Sequence, residues 1–472
     1  MSSPNPVPHT AAEETVEQSL YEVSRKIYPR SVTGWFATWR WVFVWLTQLV
    51  FYGCCWLPWN GRQAMLFDLV ERKFYIFGLV FWPQDVFFLA VLLIISAYSL
   101  FLFTAVGGRL WCGYACPQTV YTSIFLYIEE KVEGNRMARM KLDSLPLSLR
   151  KVYLKAGKHA IWIIFSLWTG FTFVGYFTPI KTLTTGLLHL DLGPWEIFWI
   201  LFYGLATYGN AGWLREQVCK YMCPYARFQG VMFDPDTLTV TYDRERGEPR
   251  GSRARKTDHR EKGLGDCIDC QLCVAVCPTG IDIRDGLQYE CIGCAACIDV
   301  CDQVMDKMDY PRGLIRYSTE NAIEKHWGWR DILGHVIRPR VLVYSGVLMV
   351  IVIAFLWGLA VKPELRVDVL RDRAALAREV EGGLIENVYR LQVMNVSEIP
   401  QRYEISVQGL KDIQLIGPRV VAVAPATTQA LTLQVRVPPE SGKTGASTIY
   451  FDLRSVSNPR IAVHEKARFL LP

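Results

Sequence analysis

The chain has 472 residues, of which 51% are hydrophobic, 13% aromatic and 20% charged, and its formal net charge is +6. This composition is too apolar for an ordinary soluble protein, and the charge is too small to indicate a nucleic-acid partner. The 14 cysteines form tight clusters within a long chain, which excludes a small disulfide-stabilised domain.

Five stretches are apolar over the length that a bilayer requires, about 20 helical residues. The first covers residues 35–57, with Arg40 near one end and tryptophans at both edges, as expected of a span anchored at both interfaces. The other four are residues 86–108, 160–180, 197–214 and 341–361. We therefore predict a mostly α-helical membrane protein with five transmembrane helices.

The orientation of these spans follows from the charges of the loops. Residues 1–34 lack the apolar core of a signal peptide, so we expect this segment to be retained. Nine Lys and Arg residues lie between positions 109 and 158, and the positive-inside rule places this loop and the N-terminus in the cytoplasm. The predicted regions are then a cytoplasmic N-terminal segment (1–34), a four-helix membrane part (35–214), a cytoplasmic segment (215–340), a fifth span (341–361) and an outer domain (363–472).

Two copies of a CxxxCP motif each follow a span that runs toward the cytoplasm. They contain Cys112, Cys116 and Pro117 in the first copy, and Cys219, Cys223 and Pro224 in the second. Proline disfavours helix at the preceding residue and suits the first turn of a new helix. We therefore expect Cys116 and Cys223 near helix N-termini, a location that lowers the pKa of a thiol.

Four thiolates that converge from two related segments could hold Cu(I), a soft ion that prefers such ligands. The candidate copper-binding and catalytic residues are thus Cys112, Cys116, Cys219 and Cys223. The alternative is that these cysteines are small buried residues in helix packing. Packing is also our interpretation of the adjacent pair Cys54 and Cys55, around which there is no motif.

Between the second CxxxCP motif and the next cysteines, residues 244–263 are rich in Arg and Lys. This stretch favours retention beside anionic lipid or, alternatively, docking of an acidic electron donor.

Eight further cysteines form two copies of CxxCxxCxxxC between positions 267 and 301. In two-cluster ferredoxins, the first three cysteines of a copy bind one [4Fe–4S] cluster and the fourth binds the other. We assign one cluster to Cys267, Cys270, Cys273 and Cys301, and the second to Cys277, Cys291, Cys294 and Cys297. Zinc sites are the alternative, although zinc needs no third cysteine at this spacing. Two adjacent clusters imply a ferredoxin-like domain that transfers single electrons.

Beyond residue 362, short alternating runs separated by turn-rich pieces predict six or seven strands in an immunoglobulin-like β-sandwich. Within it, the stretch SGKTGAS lacks the first glycine of a phosphate loop and the aspartate of a covalent-flavin signal. We interpret it as a hairpin connection.

Five segments together resemble one known family along essentially the whole chain: WCGYACPQTV, VCKYMCPYARFQ, CPTGIDIRDGLQYECIGCAACIDVC, YPRGLIRYSTEN and the sandwich tail. This is the cytochrome c oxidase accessory protein family CcoG, also called FixG or Rdx. The resemblance implies a cupric reductase of the bacterial cytoplasmic (inner) membrane, with a periplasmic C-terminal domain, that converts Cu(II) to Cu(I) for cbb3-type cytochrome oxidase. It implies as partners a cytoplasmic electron donor, a copper-exporting ATPase or copper chaperone, and assembly factors of that oxidase.

Our functional hypothesis is that a reduced donor passes electrons to the two clusters, which reduce copper at the CxxxCP cysteines. The paired CxxxCP motifs also resemble those of membrane polyferredoxins that serve periplasmic nitrate and nitrous-oxide reductases. One alternative is therefore a quinol or quinone oxidoreductase with a quinone pocket among the spans. Another is a non-enzymatic assembly scaffold whose outer domain holds oxidase subunits.

Overall fold

The computed structural model describes residues 26–255, 263–372, 377–442 and 444–472. They form two units, each assembled from separate parts of the chain. The first contains the chain up to Gln48 together with Leu100–Gly170 and Ile200–Leu342, and the second contains Leu49–Ser99, Phe171–Trp199 and Val343–Pro472. Most of the N-terminal segment, part of the basic stretch 244–263 and Lys443 of the SGKTGAS stretch lie outside the described residues.

The first unit is mainly helical, and several of its helices begin at a proline, whose fixed φ suits the first helical turn. Four of its α-helices also have residues in the second unit: Trp35–Gly53, Val86–Gly107, Leu149–Val174 and Pro194–Thr207. The others are Leu110–Tyr114, Pro117–Glu133, Arg136–Ser144, Pro224–Met232, Arg244–Gly247, Leu272–Ala275, Ala296–Met308, Glu320–Glu324 and Trp329–Val336. Two π-helical segments, Tyr208–Leu214 and Val218–Met222, precede the second CxxxCP proline. One antiparallel pair joins the strands Thr239–Tyr242 and Ile315–Ser318.

Two helices among the described residues are long and apolar enough to cross a membrane. They are Pro83–Gly107, with a mean hydropathy of 2.7, and Pro339–Ala360, with a mean hydropathy of 2.5. The number of such helices is therefore two, not the five predicted. The predicted first span falls on helix Trp35–Gly53, where the tryptophans, Arg40 and Gln48 lower the mean hydropathy.

The predicted third and fourth spans differ from the structure in their limits as well. Helix Leu149–Val174 begins with basic residues and ends six residues before the predicted end at residue 180, where Ile180–His189 begins. Helix Pro194–Thr207 has only 14 residues before its π-helical continuation. An apolar composition alone did not reveal where these helices stop.

The two CxxCxxCxxxC copies have the same local backbone conformation. Equivalent positions are 24 residues apart, as Cys267 and Cys291 are. In the first copy Asp269 and Gln271 have positive φ, and in the second copy Gly293 and Ala295 have positive φ at the equivalent positions. A helix follows each loop: Leu272–Ala275 has four residues and Ala296–Met308 has 13. Left-handed residues between the cysteines turn the loop tightly, so that successive thiols point to one side.

Small strands open the second unit, and they were missed in the sequence because they are short and lie between apolar segments. They are Pro58–Trp59 with Arg62–Gln63, and Met65–Asp68, Lys73–Ile76 and Leu79–Phe81, all antiparallel. Val80 and Trp82 pack with Met394 and Val396 of the C-terminal part. Asp85 is buried and bonds to Lys362 at 2.9 Å and Arg366 at 2.5 Å.

The C-terminal part is a sandwich of two antiparallel sheets, which confirms the predicted immunoglobulin-like class. One sheet has the order Gln414–Ile416, Thr428–Val437, Leu384–Asn395 and Leu365–Arg371, with Arg378–Val380 also beside Leu384–Asn395. The other has the order Val420–Val423, Gln401–Gln408, Gly445–Ser455 and Ala462–Leu471. Nine strands thus lie in the described part of this region, because three short or charged strands escape the alternating pattern: Leu365–Arg371, Arg378–Val380 and Gln414–Ile416.

The sandwich core forms because alternate residues of its strands face inward. In Gln401–Gln408 the residues Gln401, Tyr403 and Ile405 are buried and their neighbours are exposed. Tyr389 and Phe451, from opposite sheets, meet edge to face with ring centroids 5.2 Å apart. The core also contains a buried carboxylate, Glu386, which accepts hydrogen bonds from Arg378 and Arg436 at 2.7 Å each.

Candidate iron–sulfur and thiol site

The eight ferredoxin-type cysteines divide between two neighbouring cavities. One is lined by Cys267, Cys270, Cys273 and Cys301, the set that the crossed assignment predicts. The other is lined by Cys277, Cys291, Cys294 and Cys297, and Cys273 also reaches it. Four cysteines around a small apolar cavity fit a [4Fe–4S] cluster, whose ligands are thiolates. The ligand assignment itself stays a prediction.

The surroundings of these cavities are apolar, as expected for centres shielded from water. Val240, Ile281, Ile283, Leu314 and Ile315 are buried in the cluster of side chains that includes several of the cysteines. Among the described residues, no group of three or more His, Cys, Asp or Glu side chains could hold a single metal ion.

Each CxxxCP motif ends one helical segment and begins another at its proline. Cys116 is extended, with φ −61° and ψ 128°, and caps helix Pro117–Glu133. Cys223 is likewise extended and caps helix Pro224–Met232. The two motifs differ upstream, where Cys112 lies in an α-helical turn and Cys219 lies in a π-helical one.

The structure brings the four CxxxCP thiols together in the first unit. Cys112 and Cys219 pack against the same apolar cluster, which contains Cys294 of the ferredoxin part. Electrostatic interactions link Cys219 to Cys116, Cys112 and Cys223. The side-chain amide of Gln229, which is fully buried, donates to the Cys112 sulfur at 3.4 Å.

Burial controls the acidity of these thiols. It raises the pKa of Cys112 to about 11 and that of Cys219 to about 12. It also raises the pKa of Cys116, although backbone N–H groups at the helix N-terminus act in the opposite direction. The expected lowering of the Cys116 pKa is therefore wrong, because desolvation of the thiolate outweighs the helix N-terminus. A bound cation would stabilise the thiolates and so lower the pKa of these cysteines.

Gly113, between the cysteines of the first CxxxCP motif, lies directly against a ferredoxin loop. A Cβ at this position would be 2.8 Å from the Cα of Cys294 and 2.9 Å from the carbonyl oxygen of Gly293. Only glycine permits so close an approach of two backbones. The first thiol motif and the Cys291–Cys297 loop are therefore in direct contact.

Arg109 also stabilises the contact between the first CxxxCP motif and the ferredoxin part. Its buried guanidinium donates to the carbonyl oxygen of Ala226 at 2.6 Å and to the carbonyl oxygen of Tyr289. It thereby joins the segment before the first CxxxCP motif to the helix after the second motif and to the ferredoxin part. From the sequence, Arg109 was predicted only as one of the charges that orient the spans.

We expect Gly113→Ala to loosen this contact, because the added methyl group meets backbone atoms that lack room to move. Overpacking of this kind costs about 1–3 kcal/mol of stability. Iron release from the purified protein during stepwise heating measures the effect and should shift to lower temperature. The matched control is Gly230→Ala in helix Pro224–Met232, where an added Cβ meets nothing within 4 Å. Equal behaviour of the two variants would contradict the prediction.

The arginines of the basic stretch that the structure describes hold it against the ferredoxin part. Arg246 bonds to Asp266 at 2.5 Å, and Arg253 donates to the carbonyl oxygen of Gly265 at 2.7 Å and to the Tyr310 hydroxyl at 3.1 Å. Arg246 and Arg253 therefore have a structural role. It differs from both predicted roles of the basic stretch, which were retention beside anionic lipid and docking of an acidic electron donor.

A buried ionic network lies beside the thiol motifs and has no local sequence signal. Glu129 is fully buried and bonds to Arg215 at 2.6 Å, with Arg139 and Lys158 within 3.8 Å. Burial raises the pKa of Glu129, but the charges of Arg215 and Lys158 outweigh it and the net pKa is lowered. Glu129 and Arg215 are 86 residues apart, so spacing alone did not pair them.

Three known protein families match the regions that contain these features. A 4Fe-4S dicluster domain family matches residues 214–320, a 4Fe-4S binding domain family matches residues 89–132, and the family of the IG-like fold at the C-terminus of FixG matches residues 355–472. The second match includes the first CxxxCP motif. The fold and the cysteine sites thus define a ferredoxin-type iron–sulfur protein with an IG-like domain.

Relatives extend this match over most of the chain. The chain is 41% identical to nitrogen fixation protein FixG of Rhizobium meliloti over 84% of its own length and 81% of that protein. It is 38% identical to protein RdxB of Cereibacter sphaeroides over 93% of its length and 94% of that protein. The chain belongs to the FixG/Rdx family, which confirms the resemblance found in the sequence.

Two further similarities are more limited. Ferredoxin-type protein NapH of Escherichia coli is 23% identical over 54% of this chain and 85% of that protein. The crystal structure of a FixG-related protein from Vibrio parahaemolyticus matches 23% of this chain and 95% of that chain, with 29% identity and a TM-score of 0.21.

Proposed function

We propose that this protein is a cupric reductase of the bacterial cytoplasmic membrane that supplies Cu(I) for the assembly of cbb3-type cytochrome oxidase. The observation that supports this best is the gathering of the four CxxxCP thiols, two of which, Cys112 and Cys219, pack in the apolar cluster that contains Cys294 of the ferredoxin part. A soft-ligand site and an electron-transfer site are thereby adjacent. Reduction converts Cu(II) to the ion that thiolates prefer, so reduction and capture occur at one place.

Each group of this chain has a defined part in the proposed reaction. The eight ferredoxin-type cysteines hold the iron–sulfur clusters, which supply one-electron transfer when bound. Cys112, Cys116, Cys219 and Cys223 receive copper, and each Cu(II) gains one electron. Gln229 orients the Cys112 sulfur by its amide hydrogen bond.

The proposed orientation has the N-terminus and the clusters in the cytoplasm and the IG-like domain in the periplasm. It rests on the basic loop between residues 109 and 158 and the positive-inside rule. Arg338, which precedes helix Pro339–Ala360, donates to the carbonyl oxygen of Ala105 at the end of helix Val86–Gly107 at 2.7 Å. The end of one candidate span and the start of the other therefore lie together.

The proposed partners follow from this orientation. A reduced electron donor approaches the clusters, and a copper-exporting ATPase or a copper chaperone accepts Cu(I). Assembly factors of the oxidase then contact the periplasmic domain.

We expect serine replacement of the four CxxxCP cysteines to abolish copper binding while the iron content stays unchanged. The loss follows from removal of the soft ligands. Copper retained after desalting of anaerobic protein should fall at least about tenfold, together with the rate at which Cu(II) reoxidises the dithionite-reduced clusters. The control is the Cys54→Ser, Cys55→Ser double variant, which removes two thiols outside the motifs. Unchanged copper binding and reoxidation in the four-serine variant would refute the proposed site.

A further inference from the structure

One cavity of the first unit touches both kinds of cysteine motif. It has a volume of about 340 Å³ and is lined by Cys219 of the second CxxxCP motif and by Cys294 of the ferredoxin part. The remaining walls come from the segment of residues 29–33, helix Trp35–Gly53 and helix Pro117–Glu133. A cavity of this size accommodates a small organic ligand, and such a ligand would lie beside a cluster-binding loop.

Part of the cavity lining is aromatic and aliphatic and suits a flat ring. Trp41 and Tyr127 line it and meet edge to face, with ring centroids 5.4 Å apart. Val44, Leu126 and Ile292 extend this apolar wall. Trp41 and Val44 belong to the helix that contains exposed Trp39, Trp45 and Leu49, the kind of surface that lipid covers. A ligand dissolved in the membrane would therefore reach the cavity along this helix.

Other residues of the cavity lining are polar. Thr122 and Ser123 contribute hydroxyl groups from one helix, and Arg40 contributes a guanidinium. The Arg40 Nε is buried and has no hydrogen-bond partner among the residues that the structure describes. An unsatisfied buried donor favours a ligand with an acceptor oxygen.

Carboxylates at the same cavity provide acceptors for protons. Glu130 lines the wall and accepts a hydrogen bond from the Ser31 hydroxyl at 2.8 Å, and Glu216 lines the wall near Cys219. Arg139 and Arg215 also reach the cavity but are paired with Glu129. The site thus combines an apolar ring-binding wall, a cationic donor, proton acceptors and a neighbouring cluster loop.

We propose that this cavity binds a membrane quinol, which is the electron donor of the protein. The quinol loses two electrons and two protons and becomes the quinone. The electrons pass singly to the clusters, and the protons pass to water by way of the Glu130 and Glu216 carboxylates. With two Cu(II) ions as final acceptors, the products are one quinone, two Cu(I) ions and two protons. Only the choice of final acceptor depends on the proposed function; the quinol half-reaction does not.

The test measures the quinol half-reaction alone. Full-length protein with oxidised clusters is mixed anaerobically with menadiol, and the EPR signal of the reduced clusters is followed in time. We expect menadiol to reduce the wild-type clusters. Ser123→Leu fills the cavity and should slow this reduction by about tenfold or more, whereas reduction by dithionite stays unchanged. Binding of oxidised menadione, measured by calorimetry, should weaken in parallel.

The matched control is Ser96→Leu. Both serine hydroxyls donate to the carbonyl oxygen four residues earlier, Ser123 at 2.7 Å and Ser96 at 2.8 Å, but Ser96 is exposed and does not line the cavity. Ser96→Leu should therefore behave as the wild type. Should Ser123→Leu fail to fold, Thr122→Val keeps the side-chain volume, removes one hydroxyl and should weaken menadione binding.

Failure of wild-type reduction by menadiol, or equal rates in Ser123→Leu and the wild type, would overturn the proposal. An anionic phospholipid that copurifies with the wild type and is lost in Ser123→Leu, with no menadione binding, would instead identify a lipid site and also overturn it. Reoxidation of dithionite-reduced protein by Cu(II), measured separately, reports on the proposed function and distinguishes its failure from that of the quinol site.

Discussion

Cys277→Ser is expected to remove the cluster of the other motif copy, the one whose remaining cysteines are Cys291, Cys294 and Cys297. The reason is that Cys277 lines the cavity of those three residues and is absent from the lining of the other cavity. Iron and acid-labile sulfide should each fall from about eight to about four atoms per chain from the two ferredoxin-type sites. The magnetic coupling between the two reduced clusters should disappear from the EPR spectrum.

Double variants make this prediction specific. Cys277→Ser combined with Cys294→Ser should lose no more iron than Cys277→Ser alone, since both residues belong to one predicted cluster. Cys277→Ser combined with Cys270→Ser should lose the iron of both clusters. Cys54→Ser provides a control with a half-buried cysteine outside the motifs. The opposite result for the two double variants would show that each motif copy binds its own cluster and that the crossed assignment is wrong.

Glu129→Gln is expected to produce the largest loss of stability among single substitutions in the first unit. The variant leaves Arg215, Arg139 and Lys158 without their shared buried anion. Breaking a buried ion pair by removing one partner costs about 3–5 kcal/mol. The midpoint of thermal unfolding, followed by tryptophan fluorescence in detergent, should fall clearly below that of the wild type.

The sign of the pH effect follows from the lowered pKa of Glu129. Its contribution to stability is present above the pKa of the unfolded chain, about 4.3, and is lost as the pH falls through the lower pKa of the folded state. The wild type and Glu129→Gln should therefore approach each other in stability at acidic pH. The control is Glu71→Gln, since the Glu71 side chain is exposed, although its partner Lys73 is buried, and water screens a pair with an exposed carboxylate to about 0–1 kcal/mol. Similar losses in both variants would contradict the role of the buried network.

Sequence patterns predicted the features that depend only on residues close together in the chain. The two prolines after Cys116 and Cys223 indicated the helix starts that the structure shows. The alternating runs of the C-terminal part indicated a sandwich, because a strand shows its buried face in every second residue. The cysteine spacing indicated two neighbouring sites before any tertiary information was present.

Features that depend on distant partners were not predictable in this way. The pairing of Glu129 with Arg215 and the approach of Gly113 to Cys294 arise only in the folded chain. The number of spans was overestimated because tryptophans and short polar insertions leave a stretch free of most charges. They nevertheless lower its mean hydropathy or end its helix early. The acidity of Cys116 was misjudged because its burial is a tertiary property.

The last turn of helix Val86–Gly107 is held by the chain that leads into the ferredoxin part. Thr237 donates its hydroxyl to the carbonyl oxygen of Ala105 at 3.1 Å, and the backbone N–H of Leu238 donates to that of Val106 at 3.0 Å. A soluble ferredoxin must diffuse to each encounter, and its turnover depends on its concentration. Here the ferredoxin part is bonded to the end of helix Val86–Gly107 in the same chain. The rate of electron transfer within the chain would therefore depend on tunnelling distance and driving force, not on collision frequency.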